Sequence, residues 1–124
     1  METTQKRTWA EIDMGALEHN YLALREQIPF GCKFLGVVKA DAYGHGAVPV
    51  ARRLEELGAD YLAVACLDEA AELREHGITL PLLILGITPA EFAGELVRYD
   101  LTQAVGTWTW PGPMPRRCGR RGGA

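Results

Sequence analysis

A lysine ends the short apolar run Phe34-Leu35-Gly36-Val37-Val38, and the stretch after it, Ala40-Asp41-Ala42-Tyr43-Gly44-His45-Gly46, holds a phenol and two glycines. A primary amine is a nucleophile toward carbonyl carbon once it is deprotonated, which requires desolvation or a neighbouring positive charge. The common role of a lysine at such a place is a solvated charge, so its setting decides. The run before Lys39 is apolar without polar alternation, which suits a strand buried on both faces of a parallel sheet. Ligands of open and barrel α/β folds collect at the carboxyl ends of such strands, where Lys39 stands. Gly44 and Gly46 mark a tight turn, and from Val48 the apolar spacing becomes helical.

Other chemistries fit less well. Gly44-x-Gly46 between a strand and a helix has the outline of a dinucleotide-binding turn, but the third glycine would fall on Pro49. A phosphate cradle at the following helix N-terminus ranks below simple turn chemistry. Cys32, Cys66 and Cys118 are odd in number, widely spaced and without Cys-x-x-Cys pairs, and His19, His45 and His76 show no ligand spacing. Neither a disulfide framework nor a metal site is expected.

The elements that must position Lys39 alternate in type. A first helix is expected from Asp13, its N-cap, to Ile28, with Leu17, Tyr21, Leu24 and Ile28 on one stripe and Pro29 stopping it. Strands are expected to start at about Phe34, Tyr61, Leu82 and Leu101. Between them lie helices at 48–57, closed by Gly58 in a left-handed conformation, and at 68–76, closed by Gly77. Thr88-Pro89-Ala90-Glu91 reads as a capping box with proline at the first helical position, opening a helix to about Arg98. This is a succession of right-handed βαβ units, and four of them make half of an eight-stranded barrel, which typically needs about 250 residues.

The chain has 124 residues, 48% of them hydrophobic and 23% charged, an ordinary globular composition that allows one domain. Its net charge of −3 is uneven, because Arg116, Arg117, Arg120 and Arg121 lie in an acid-free tail while nine other basic residues face all 16 acidic ones. An acidic body argues against nucleic-acid binding. Met1 to Arg7 is polar and no apolar run reaches signal-peptide or membrane-span length, so a cytoplasmic protein without membrane contact is expected.

The string Val37-Val38-Lys39-Ala40-Asp41-Ala42-Tyr43-Gly44-His45-Gly46 closely resembles the signature of the alanine racemase family, whose lysine carries pyridoxal phosphate as a Schiff base. Trp9-Ala10-Glu11-Ile12-Asp13 with Ala16-Leu17-Glu18-His19-Asn20 resembles the family's opening segment, and Leu83-Ile84-Leu85-Gly86 its third barrel strand; the likeness runs from about residue 8 to 106. It implies an α/β fold, the N-terminal half of a TIM (β/α)8 barrel without the family's C-terminal β domain. It also implies the following roles: Lys39 as the aldimine site and the base for one face of the substrate, Tyr43 at the cofactor phosphate and Leu85 lining the cofactor. The reaction implied interconverts L-alanine and D-alanine, supplying D-alanine for peptidoglycan, in a homodimer. The family's second base, a tyrosine from the partner's C-terminal domain, and its later-strand arginine have no counterpart here. Asp41 and His45 are assigned no chemistry beyond stabilising the turn.

The expected organisation is an extended segment at 1–12, a partial barrel at 13–106 and a disordered, non-native tail at 107–124. A frameshift near Gly106 would explain the tail, and a chain so cut is expected to be inactive. The alternatives are another pyridoxal-phosphate barrel, decarboxylase-like or a single-domain cofactor carrier, and a non-functional remnant.

Overall fold

In the computed structural model, residues 7–106 are described, so the expectation of a disordered tail at 107–124 falls outside them. Four parallel strands, β1 (Leu35–Val37), β2 (Tyr61–Val64), β3 (Leu82–Ile84) and β4 (Leu101–Gln103), form one sheet in sequence order. Helix α1 (Met14–Gln27) precedes β1. Helices α2 (Ala47–Glu56), α3 (Leu67–Glu75) and α4 (Ala93–Arg98) connect successive strands, α4 following a 3-10 turn at Ala90–Phe92. Parallel neighbours need such crossovers, and the alternation expected from the sequence is the one found.

Strand alternation puts Gly36, Val38, Leu62, Val64, Leu82, Ile84 and Leu101 on the face that the helices cover, and of these all but Gly36 join Val50, Ala51, Leu54, Ala70, Leu73 and Leu96 in one core. Fully burying a Leu or Ile is worth about 1.5–3 kcal/mol, so this face carries the fold. Gly36 is required here by space: a Cβ would lie 2.8 Å from Leu54 Cδ1 and 3.3 Å from Leu62 Cδ2, so glycine lets α2 close onto β1. Leu35, Val37 and Leu85 lie exposed away from that core, so β1 is buried on one face and not on both as its unalternating apolar run suggests, because among the described residues the helices cover one face of the sheet.

Asp13 caps α1 as expected, its Oδ1 accepting the Ala16 N–H at 3.0 Å. Tyr21 is buried, edge-on to Phe34 with ring centroids 4.8 Å apart, and Leu17 packs on the core. Leu24 departs from the expected stripe and is exposed; its neighbour Arg25 instead takes the inward place, donating to Asp60 at 3.1 Å. Gly58 and Gly77 take φ of 87° and 86° after α2 and α3, as expected. The capping box at Thr88 is not formed. Pro89 is itself the cap of the 3-10 turn, with ψ of 144°, while the Thr88 hydroxyl is buried and donates to Gln103 Oε1 on β4 instead. Residues 8–13 lie in neither helix nor strand. Among the described residues no helix is long and apolar enough to cross a membrane.

Candidate functional site

The register of the sheet fixes where Lys39 stands. Val37 pairs with Ala63 and Ala63 with Leu83, and Lys39 and Leu85 follow just past the carboxyl ends of β1 and β3. The last rungs at that edge are Val38 N–H to Ala63 O and Leu85 N–H to Val64 O, both 2.9 Å. Lys39 is half-buried, and its amine has no hydrogen bond or ion pair among the described residues. Leu85 is exposed at the end of β3.

Beyond Lys39 the chain makes a left-handed helical turn, which the sequence reading did not anticipate. Ala40, Asp41, Ala42 and Tyr43 all have positive φ, between 51° and 55°. A side chain in this region costs about 1–2 kcal/mol, so four in succession must be held by their surroundings. The Ala42 N–H donates to Val38 O at 3.0 Å and the Gly46 N–H to Asp41 O at 2.9 Å. Asp41 Oδ1 accepts the Ala47 N–H at 2.8 Å, which ties the turn to the start of α2. His45 Nδ1 lies 3.0 Å from Ala42 O, and the Ala42 side chain is buried. These bonds agree with a turn-stabilising part for Asp41 and His45. Tyr43 ends the turn with its ring mostly in solvent.

A further side chain at this edge was missed from the sequence. Glu69, on the first turn of α3, accepts the Ala40 N–H at 2.9 Å through Oε1 and the Ala65 N–H at 2.7 Å through Oε2. Its place three residues after the N-cap Cys66 is where a capping-box glutamate belongs, and that spacing was the available signal.

The perturbed ionisable groups lie elsewhere. The Phe34 N–H, at 2.7 Å, together with Arg25, holds the Asp60 carboxyl below the usual range, against partial desolvation. Desolvation pushes Glu55 upward, but the Thr79 hydroxyl and the Thr79 and Leu80 N–H groups outweigh it and leave Glu55 low. The hydrogen bond to Glu75 raises the Tyr99 phenol, and Glu56 and Glu18 raise Arg53. Asp60, Glu55 and Tyr99 belong to the amino-terminal end of the sheet. Tyr21, beside Phe34, and Tyr61, which opens β2, lie toward that end as well, so Tyr43 is the one described tyrosine at the carboxyl edge. No cluster of three potential metal ligands occurs among the described residues.

A parallel sheet whose strands alternate with helices on one face, in sequence order, is the architecture of successive units of a (β/α)8 barrel. The family described as alanine racemase, N-terminal domain, matches residues 12–111. Alanine racemase 1 of Oceanobacillus iheyensis is 47% identical over 103 residues, covering 83% of this chain and 27% of that protein. Alanine racemase of Desulfovibrio desulfuricans is 48% identical over 105 residues, covering 85% and 28%. Among solved structures, alanine racemase of Clostridium difficile 630 superposes with a TM-score of 0.80 at 46% identity, over 83% of this chain and 28% of that one. The Bacillus anthracis enzyme with bound L-Ala-P gives a TM-score of 0.79 at 41% identity, over 84% and 27%. The chain belongs to the alanine racemase family, and its four units correspond to the N-terminal half of that family's barrel. It spans little more than a quarter of the length of the relatives it matches.

Proposed function

We propose that this chain carries the lysine-bearing part of a pyridoxal-phosphate-dependent alanine racemase, with Lys39 as the residue that holds the cofactor. The observation that supports the reading is the place of the Lys39 amine: half-buried, without a partner among the described residues, just past the carboxyl end of the first strand. The donor set fits the group, since a primary amine suits an aldehyde carbon, the Tyr43 hydroxyl a phosphate oxygen, and Leu85 an apolar ring face. Bound pyridoxal phosphate supplies an electron sink for a carbon that loses its proton.

The part of the reaction that belongs to these residues is limited. Lys39 Nζ takes or returns a proton on one face of the alanine α-carbon, and Tyr43 and Leu85 orient the cofactor. Inversion needs a second base on the opposite face. The resemblance implies that this base is a tyrosine from the C-terminal domain of a partner subunit in a homodimer, and Tyr21, Tyr61 and Tyr99 stand toward the far end of the sheet. The same reading makes D-alanine for peptidoglycan the product in use and the cytoplasm its place.

The test is to mix the full chain with pyridoxal phosphate, reduce with borohydride and map the labelled peptide. Label on Lys39 is expected. Label confined to Lys6 or Lys33 would overturn the assignment.

A further inference from the structure

We propose that Glu69 is a positioning residue for Lys39: its carboxylate takes the place of the next two rungs of the β1–β2 ladder and thereby lets the chain leave the sheet at the lysine. The proposal rests on the reading of Lys39 given above, and its mechanical half stands on the backbone alone. In a parallel pair the N–H of one residue donates to one carbonyl of the neighbouring strand, and the residue two further along that strand donates back. Val38 N–H donates to Ala63 O, so continuation would send the Ala65 N–H to Val38 O and then the Ala40 N–H to Ala65 O. Neither bond is made. Both donors go to Glu69, at 2.7 Å and 2.9 Å. The two acceptors are also redirected, Val38 O to the Ala42 N–H inside the left-handed turn and Ala65 O to the Gly86 N–H on the next strand, at 3.0 Å each.

The carboxylate therefore does what a strand would have done, but from the helix side. A strand partner would require Ala40 to stay extended; Glu69 accepts its N–H with the residue at φ 51°. The two donors lie on different segments, Ala40 in the turn after β1 and Ala65 just past β2, and each takes its own carboxylate oxygen. Aspartate is one methylene too short to span both, and glutamine offers one acceptor and a donor that faces N–H groups. Lys39 lies directly between Val38, whose N–H donates to Ala63 O, and Ala40, whose N–H the clamp holds, so the backbone is fixed on both sides of its side chain. A capping-box glutamate normally turns back to its own N-cap; this one bonds the residue before the cap and the neighbouring strand.

The experiment compares the full chain with Glu69→Ala and Glu69→Gln by site-resolved amide exchange, and by the ratio of Lys39 to Lys33 modification with a small amine-acylating reagent. Losing a charge-assisted hydrogen bond should speed exchange at Ala40 and Ala65 about tenfold or more in Glu69→Ala, with Glu69→Gln between it and the parent. Amides in the middle of the sheet, at Leu62 and Leu82, should keep their rates. The Lys39 to Lys33 ratio should rise as the half-buried amine is released. Unchanged exchange at Ala40 with an unchanged ratio would overturn the proposal, and if Glu69→Ala does not fold, the same two readouts on Glu69→Gln decide it. Uniform acceleration at all amides would also overturn it, because that marks a merely structural loss. Failure of the cofactor reading shows separately, as no capture of pyridoxal phosphate on Lys39 in the parent chain.

Discussion

The two ends of the sheet are both closed by charged side chains, yet they differ in what they leave over. At the amino-terminal end, Asp60 binds the Phe34 N–H and Arg25, Glu55 binds Thr79 and Leu80, and Arg74 donates to the carbonyls of Ile78, Leu80, Tyr99 and Asp100 at 2.7–3.1 Å. At the carboxyl end, Asp41 and Glu69 hold backbone N–H groups in a similar way, but they hold a turn in a costly conformation. Beside it the Lys39 amine and the Tyr43 hydroxyl have no partner among the described residues. Barrel folds keep stability at one mouth and chemistry at the other, and the proposed role of Lys39 places this chain within that division.

The division can be broken most completely at Lys39. Lys39→Ala should abolish borohydride-trapped pyridoxal phosphate while changing stability by no more than about 0.5 kcal/mol, the range of surface substitutions, measured by urea unfolding. Arg74→Ala should do the reverse. It frees carbonyls at the starts of β3 and β4 and should cost about 2–4 kcal/mol, with cofactor capture on the folded fraction unchanged.

Smaller changes sharpen the contrast. Ala40→Gly removes a Cβ from a left-handed residue, so stability should hold or rise by up to about 1 kcal/mol while capture at Lys39 slows, because the turn is looser. A parallel loss of stability and capture would show that the strain is not where the dihedral angles put it. The smallest effect belongs to pH. The Asp60 carboxyl is held low in the folded chain, so its contribution is present above the unfolded value and is lost as the pH falls below about 4. The melting temperature of Asp60→Asn should fall less steeply than that of the parent chain over that range, and equal slopes would contradict the assignment.

Much of this architecture can be read from residue order. The Asp13 cap and Gly58 and Gly77 after their helices each speak through local propensity, and the structure agrees with them; the apolar run before Lys39 does form a strand, but one buried on a single face, because an unalternating run does not say which faces will be covered. Thr88 misled because its hydroxyl had a better partner in Gln103, a residue 15 positions away whose side chain no local pattern announces. The left-handed turn was hidden for a similar reason. Ala40 and Ala42 have no intrinsic wish for positive φ, and what imposes it is Glu69, 29 residues from Ala40, together with the rungs that fail to form. Lys39 was legible from its strand-end place as well as from the family string, and Leu85 from the family string alone; both fall just past the carboxyl ends of their strands.

The turn at Ala40–Tyr43 also has a stereochemical consequence. A φ near +50° is the mirror image of the right-handed helical value, so it is the natural conformation of a D-amino acid. A chain assembled by peptide ligation with D-alanine at position 40 should keep the turn without the steric penalty that the L-residue bears. At this bend four consecutive residues follow the geometry of the protein's enantiomer.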